Sequence, residues 1–378
     1  MGFSTDAIHG GQSPEEKSGA VITPIYATST YKQDGIGKDR GYEYGRTANP
    51  TREALERNIA ILEKGQHGVA YSSGMAATDT IIRLLKPGDE VIVTHNVYGG
   101  TYRLFEMIIR EYGVKFHFVD TSDVKEIKAV MNPSVRLLFV ESPTNPVLQI
   151  TDIRAAADLA QESGSLLCVD NTFMTPYFQT PLELGADIVV HSTTKYLNGH
   201  SDMVGGIVVV NDDALVERLR FLQNAVGAVP SPFDCFLALR GTKTLAVRMR
   251  QHEENAGLLA AFLRDIPGIE RVHYPGFEDH PQHALARKQQ RGFGAIISID
   301  VGSLERADHV LKAVRVFTLA ESLGGVESLI SHPASMTHGA VPKEDKDMLG
   351  VTDGLIRISV GIEDVEDLES DIAQALSF

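Results

Sequence analysis

The chain has 378 residues, 43% of them hydrophobic, with a formal net charge of −15 from 35 basic and 50 acidic residues. That length buries a sizeable core and accommodates one large domain with a smaller one beside it. The acidic balance repels a phosphate backbone and no basic patch interrupts it, which argues against nucleic-acid binding.

Two cysteines, Cys168 and Cys235, are too few for a disulfide framework. Cys168 lies in the apolar run "LLCVD", so burial and a reducing cytoplasm are the expectation. The N-terminus "MGFSTDAIHGGQ" lacks a basic region followed by an apolar stretch, and Asp6 stands where a myristoylation signal needs Ser or Thr. No run reaches membrane-spanning length.

Residues 1–50 are rich in Gly, Pro, Ser and Thr with little periodicity, which predicts an extended arm that lies on a neighbour. "NPTREALERNIAILEKG" then predicts a helix with Thr51 as cap, Leu55, Ile59 and Leu62 on one face, and Gly65 as its stop. "YSSGMAATDTIIRLLK" predicts a further helix capped by Ser73. Apolar runs alternate with helical patterns after that: "EVIVT", a helix over "TYRLFEMIIREYG", "FHFVD", a helix at 123–131, "RLLFVES", a helix at 153–163, "LLCVD", "DIVVHS" and "GIVVV". Strands apolar on both faces and separated by helices predict an α/β fold with a mostly parallel sheet, covering residues 51–240. From 241 to 378 a long charged helix, "KTLAVRMRQHEENAGLLAAFLRD", precedes "AIISIDV" and "LIRISVGI", which predicts a smaller α+β domain. No repeat or low-complexity tract interrupts the pattern.

A parallel sheet invites a nucleotide, yet the chain has no Walker motif, and "GIGKDR" lies in the arm and ends in Arg40. Thirteen histidines invite a metal, yet no HExxH or CxxC spacing occurs, and His332 and His338 form no ligand pattern, so no metal is expected. Neither cysteine has a designated base. Gly74 and Met75 open the helix after "YSS", where unpaired amides attract an anion; the same stretch taken alone is simply a capped helix. Ser192 and Thr194 are two apart, so on an extended segment both hydroxyls point one way and can share a phosphate. Lys195 then points away unless the chain turns after Thr194. A lysine there is an ordinary loop residue or a ligand group, and its place at the carboxyl end of a sheet strand favours the second. Asp170 ends the "CVD" strand, and a buried carboxylate there requires a cation. An aldehyde cofactor with a phosphate and a basic ring nitrogen answers these demands together.

The motifs "YEYGRTANPT", "SSGMAA", "YGGTYRLF", "ESPTNP", "VDNTF", "HSTTKYLNGHSD", "AESLGGVESL" and "IRISVGIED", in that order, resemble the pyridoxal-phosphate enzymes of cysteine and methionine metabolism. This transsulfuration family includes cystathionine γ-lyases, γ-synthases and β-lyases and methionine γ-lyases. The resemblance implies the aspartate-aminotransferase-like fold (fold type I) and pyridoxal 5'-phosphate joined to Lys195, with Asp170 on the ring nitrogen. It implies a phosphate held by Ser192, Thr194, Gly74 and Met75, with Tyr44 and Arg46 supplied by a neighbouring subunit. Tyr98 matches the tyrosine that stacks on the ring and acts as acid or base, and Asn145 matches the residue near the ring hydroxyl. Arg357 and Ser322 match the clamp for the substrate carboxylate, while Glu321, Arg103 and Glu43 resemble a polar distal pocket. The resemblance further implies a cytoplasmic homotetramer, a dimer of dimers with shared active sites, acting on a sulfur amino acid with no nucleic-acid or membrane partner.

Within the family, Gly100 stands where methionine γ-lyases carry a cysteine, and Glu321 where they carry an apolar residue. "GYEYGRTANPTR" and "ITPIYATSTYKQ" are most like lyase-type sequences, which implies cystathionine γ-cleavage to cysteine, 2-oxobutyrate and ammonia, with sulfide release from cysteine or homocysteine. The alternatives are γ-synthesis from an O-acylhomoserine and cysteine, and β-cleavage. A catalytically silent, cofactor-binding regulatory protein would be expected to have lost Lys195, Asp170 or Arg357, and all three are present.

Overall fold

The structure, a computed structural model, describes residues 1–339 and 343–377. Seven strands form the large sheet: β1 (His67–Tyr71), β2 (Glu90–Thr94), β3 (Lys115–Val119), β4 (Val135–Glu141), β5 (Leu166–Asp170), β6 (Ile188–Ser192) and β7 (Gly206–Val210). Their spatial order is β1-β7-β6-β5-β4-β2-β3. β7 runs antiparallel to both its neighbours, and the remaining pairs are parallel. Chain order departs in opposite directions from the β2–β4 boundary, so a crevice opens at the carboxyl ends of those strands.

Side-chain alternation explains the two covered faces. Val91, Val93, Leu137, Phe139, Cys168, Ile188 and Val190 join Ile81 and Phe105 in one buried cluster. Ile92, Leu138, Val140, Leu167 and Val169 pack on the opposite face against Ile153, Ala156 and Ala160. Continuing the first face by two residues places Glu141, Asp170 and Ser192 on one side of the sheet at its carboxyl edge.

The smaller sheet comprises β8 (Arg271–His273), β9 (Ile296–Asp300), β10 (Thr318–Leu319), β11 (Leu329–Ser331) and β12 (Leu355–Ser359), in the order β10-β11-β12-β9-β8. The helix Leu245–Arg264 contacts both β8 and β9 and the short helix Thr175–Phe178 of the large sheet's side. Large and small sheets thus share one apolar cluster that includes Met174, Met249, Leu259, Ile297 and Ile358.

Several local expectations shift. The helix Pro50–Leu62 is capped by Asn49, not Thr51: the Asn49 side chain accepts the amides of Thr51 and Arg52, and Pro50 takes the first turn. Lys64, not Gly65, adopts the left-handed conformation after it, with φ of 61°. The arm begins with a helix, Phe3–His9, because the buried Asn58 side chain donates to the carbonyls of Asp6, Ala7 and Gly10. Beyond that helix Val21, Ile22, Ile25 and Ile36 are exposed. No described helix is long and apolar enough to cross a membrane.

Candidate active site

A cavity of about 310 Å³ opens at the crevice and is lined by Gly74, Met75, Tyr98, Arg103, Asn145, Asp170, Ser192, Thr194, Lys195, Glu321, Ser322 and Arg357. Twelve sequence-predicted residues therefore converge from both sheets. A larger groove of about 470 Å³ beside β8 is lined by Arg271, His273 and His280 and contains none of them. Among the described residues no group of three or more His, Cys, Asp or Glu is placed to hold a metal.

Lys195 follows β6 through a turn. The Lys195 amide donates to the Ser192 carbonyl at 3.3 Å and Gly199 closes back onto the Lys195 carbonyl at 2.8 Å, which redirects the lysine into the cavity. Its Nζ donates to Ser322 Oγ at 2.5 Å. Burial drives its pKa down to about 8, reinforced by the Arg357 charge and opposed by Glu321. A base with a lowered pKa is neutral at lower pH. Acylation of Lys195 in the cofactor-free protein, read by peptide mass spectrometry, is therefore expected to rise through a midpoint near pH 8. A midpoint at the ordinary lysine value of about 10.4 contradicts this.

Asp170, at the end of β5, accepts the Thr172 amide at 3.0 Å. Enclosure pushes its pKa up, and no described cation pairs with it, so it is a carboxylate prepared for a cationic partner. The helix Gly74–Ile82 begins at the same cavity. Ser73 serves the amides of Ala76 and Ala77 through its hydroxyl and carbonyl, which leaves the Gly74 and Met75 amides outside the cap. A Cβ at Gly74 would lie 3.1 Å from the Ser192 Cβ, a tight approach that would oblige a neighbour to shift. Thr194 Oγ1 is oriented by the Gly205 amide at 3.0 Å. A helix start with free amides, an acid without a cationic partner and a partly neutral amine lining one cavity suit a phosphorylated pyridine aldehyde.

Arg357 projects from β12 and is buried at 2% exposure. Its Nη1 donates to Asn145 Oδ1 at 3.1 Å and its Nη2 to the Ser322 carbonyl at 2.7 Å, while its Nε finds no acceptor among the described residues. Burial lowers its pKa to about 10, which leaves it cationic at neutral pH. Ser322 is held at φ of 92°, a conformation unusual for a side-chain-bearing residue and a mark of a constrained site. Tyr98 precedes the helix Gly99–Met107 and its ring is 42% exposed. A Cβ at Gly100 would lie 2.4 Å from Tyr98 Cε1, so the glycine gives that ring its room. Glu321 and Arg103 are exposed at the mouth.

Tyr44, Arg46 and Glu43 do not line this cavity. They are exposed on the arm, and Arg46 Nη1 reaches Asn224 Oδ1 at 2.9 Å. Sequence reasoning also missed Glu141, a cavity residue buried at 5% exposure. It ends β4 just as Asp170 ends β5, so the acid closing an apolar run was the available signal.

The fold and cavity together define a fold type I enzyme that uses pyridoxal 5'-phosphate. The family model for the Cys/Met metabolism PLP-dependent enzymes matches residues 4–377, and the chain belongs to that family. It is 54% identical to a cystathionine gamma-lyase of Bacillus subtilis over 376 residues, covering 100% of this chain and 99% of the other. It is also 54% identical over 377 residues to a cystathionine beta-lyase of Coxiella burnetii, covering 99% and 97%. The crystal structure of cystathionine gamma-lyase from Lactobacillus plantarum complexed with L-serine superposes with a TM-score of 0.97 at 45% identity, covering 100% of this chain and 99% of that one.

Proposed function

We propose that the chain cleaves L-cystathionine at its Cγ–S bond to L-cysteine, 2-oxobutyrate and ammonia. The observation that carries this is the convergence of Lys195, Asp170 and Arg357 on one cavity whose mouth bears Glu321 and Arg103. When bound, the cofactor supplies an electron-withdrawing ring that acidifies the substrate Cα–H. Lys195 holds the cofactor and, once released from it, takes the proton at Cα on Nζ and delivers it toward the leaving side of the substrate. Asp170 keeps the ring nitrogen protonated. Gly74, Met75, Ser192 and Thr194 bind the phosphate, and Tyr98 stacks on the ring. Since Arg357 occupies Asn145 Oδ1, the amide nitrogen is what Asn145 offers a ring hydroxyl. Arg357, oriented by the Ser322 carbonyl, takes the substrate carboxylate in a two-pronged grip. Glu321, Arg103 and a neighbour's Glu43 receive the distal amine and carboxylate.

Tyr44 and Arg46 belong, on this reading, to an adjoining subunit's phosphate site, in a cytoplasmic homotetramer. A charge-assisted contact of that kind contributes roughly 1.5–3 kcal/mol. Arg46→Ala is therefore expected to weaken pyridoxal-phosphate binding by about 10- to 150-fold at unchanged circular dichroism. An unaltered dissociation constant would remove Arg46 from the site.

β-Cleavage is the second reading, favoured by the Coxiella burnetii relative. Supplying L-cystathionine and identifying the oxo acid separates the two: 2-oxobutyrate supports γ-cleavage and pyruvate β-cleavage. Slow turnover beside fast use of an O-acylhomoserine with cysteine would instead make the chain a synthase.

A further inference from the structure

The cavity floor holds two acids where the reaction outlined above uses one. β4 and β5 run parallel with Glu141 directly opposite Asp170, so both side chains leave the same face of the sheet. Neither makes an ion pair within 4.0 Å among the described residues. Burial and mutual repulsion push the Glu141 carboxyl well above the usual range, while the amides of Tyr98 and Asn145 and the Arg357 charge pull it back. Placing a second acid there is costly.

Its contacts indicate what it does. Glu141 Oε2 accepts the Tyr98 amide at 2.8 Å. The base of the residue is itself anchored. The Glu141 amide donates to Thr94 Oγ1 at 3.1 Å; the Thr94 hydroxyl meets that of Thr121 at 2.9 Å, and the Thr121 hydroxyl meets that of Thr151 at 2.7 Å. These three threonines are buried at 1% exposure.

The Tyr98 side chain lines the cavity with 42% of the residue exposed and its ring edge against Gly100, where a Cβ would lie 2.4 Å from Cε1. Where it stands follows mainly from the Tyr98 backbone, and Glu141 holds that backbone. We propose that Glu141 is a positioning residue that sets, through the Tyr98 main chain, where the Tyr98 ring stands in the cavity. The proposal rests on the cofactor reading above, in which Tyr98 stacks on the cofactor ring.

Glu141→Leu keeps much of the bulk and removes the acceptor, and Glu141→Asp keeps a carboxyl but falls a methylene short. Each leaves the Tyr98 amide without its acceptor. Both variants, loaded with pyridoxal 5'-phosphate and given L-cystathionine, are expected to lose about 10- to 100-fold in kcat/KM, mostly in kcat. The visible circular dichroism of the bound cofactor should change at saturating cofactor, because it reports the ring's asymmetric surroundings. A purely structural role would lower Tm and the folded fraction while leaving kcat per folded molecule and the visible band as in wild type. That result in either variant overturns the proposal, as does wild-type behaviour throughout. A wild-type chain that gains no visible band with pyridoxal 5'-phosphate refutes the cofactor reading instead, an outcome that does not involve residue 141.

Discussion

Lys195→Ala is expected to lower cystathionine turnover by about 10³-fold or more while leaving the fold intact. Positioned general acid–base catalysis alone contributes about 10²–10⁴-fold, and this side chain also supplies the attachment of the cofactor. The fold should tolerate the change because Lys195 lines the cavity and belongs to none of the buried apolar clusters. Its Nζ bonds one hydroxyl, Ser322 Oγ, and its main chain, not its side chain, closes the turn. Stopped turnover with native far-ultraviolet circular dichroism supports the assignment. Activity within tenfold of wild type would transfer the role to another base.

Arg357 is the second position with a large expected effect. Arg357→Ala removes two charge-assisted contacts to a substrate carboxylate, roughly 3–6 kcal/mol, or about 10²–10⁴-fold in kcat/KM. It also strips donors from Asn145 Oδ1 and the Ser322 carbonyl, so part of the loss comes from a disordered site. Arg357→Lys isolates the geometry: the charge remains, but a point charge cannot reproduce the planar fork that meets Asn145, Ser322 and the ligand at once. A loss of about tenfold or more is expected in the lysine variant too, chiefly as a raised KM. Equal KM values in lysine variant and wild type would show that the carboxylate binds elsewhere.

How far this was readable in the sequence varied with the range of the interaction. β2, β4, β5 and β6 were legible because each is an uninterrupted apolar run, the mark of a strand covered on both faces. β1, His67–Tyr71, was not, because Gly68 and a terminal histidine break its run; the glycine is there because Glu56 O would lie 2.2 Å from a Cβ. The antiparallel direction of β7 depends on its partners, and the run "GIVVV" carries no sign of it. The helix at Phe3–His9 likewise depends on Asn58, half a hundred residues on, and local composition shows only a polar arm.

The site shows the same division. Ser73, Ser192, Thr194 and Lys195 lie on short segments whose spacing carries their geometry. Arg357 and Ser322 come from the smaller sheet's side, and the 2.5 Å contact between Ser322 and Lys195 spans chemistry that only the family resemblance anticipated. Glu141 was within reach of the reasoning that found Asp170, since both end apolar strands. Glu141 opens the motif "ESPTNP" as Asp170 lies in "VDNTF", but its side-chain partner is a main-chain amide, which leaves no pattern of residue types.

The whole account depends on Lys195 as the residue that carries the cofactor. The direct measurement is to load the protein with pyridoxal 5'-phosphate, reduce with borohydride, digest, and locate the phosphopyridoxyl group by mass spectrometry. A visible band before reduction and a single modified peptide bearing the group on Lys195 is the expected result. No band, or label scattered over other lysines with Lys195 unmodified, would contradict it.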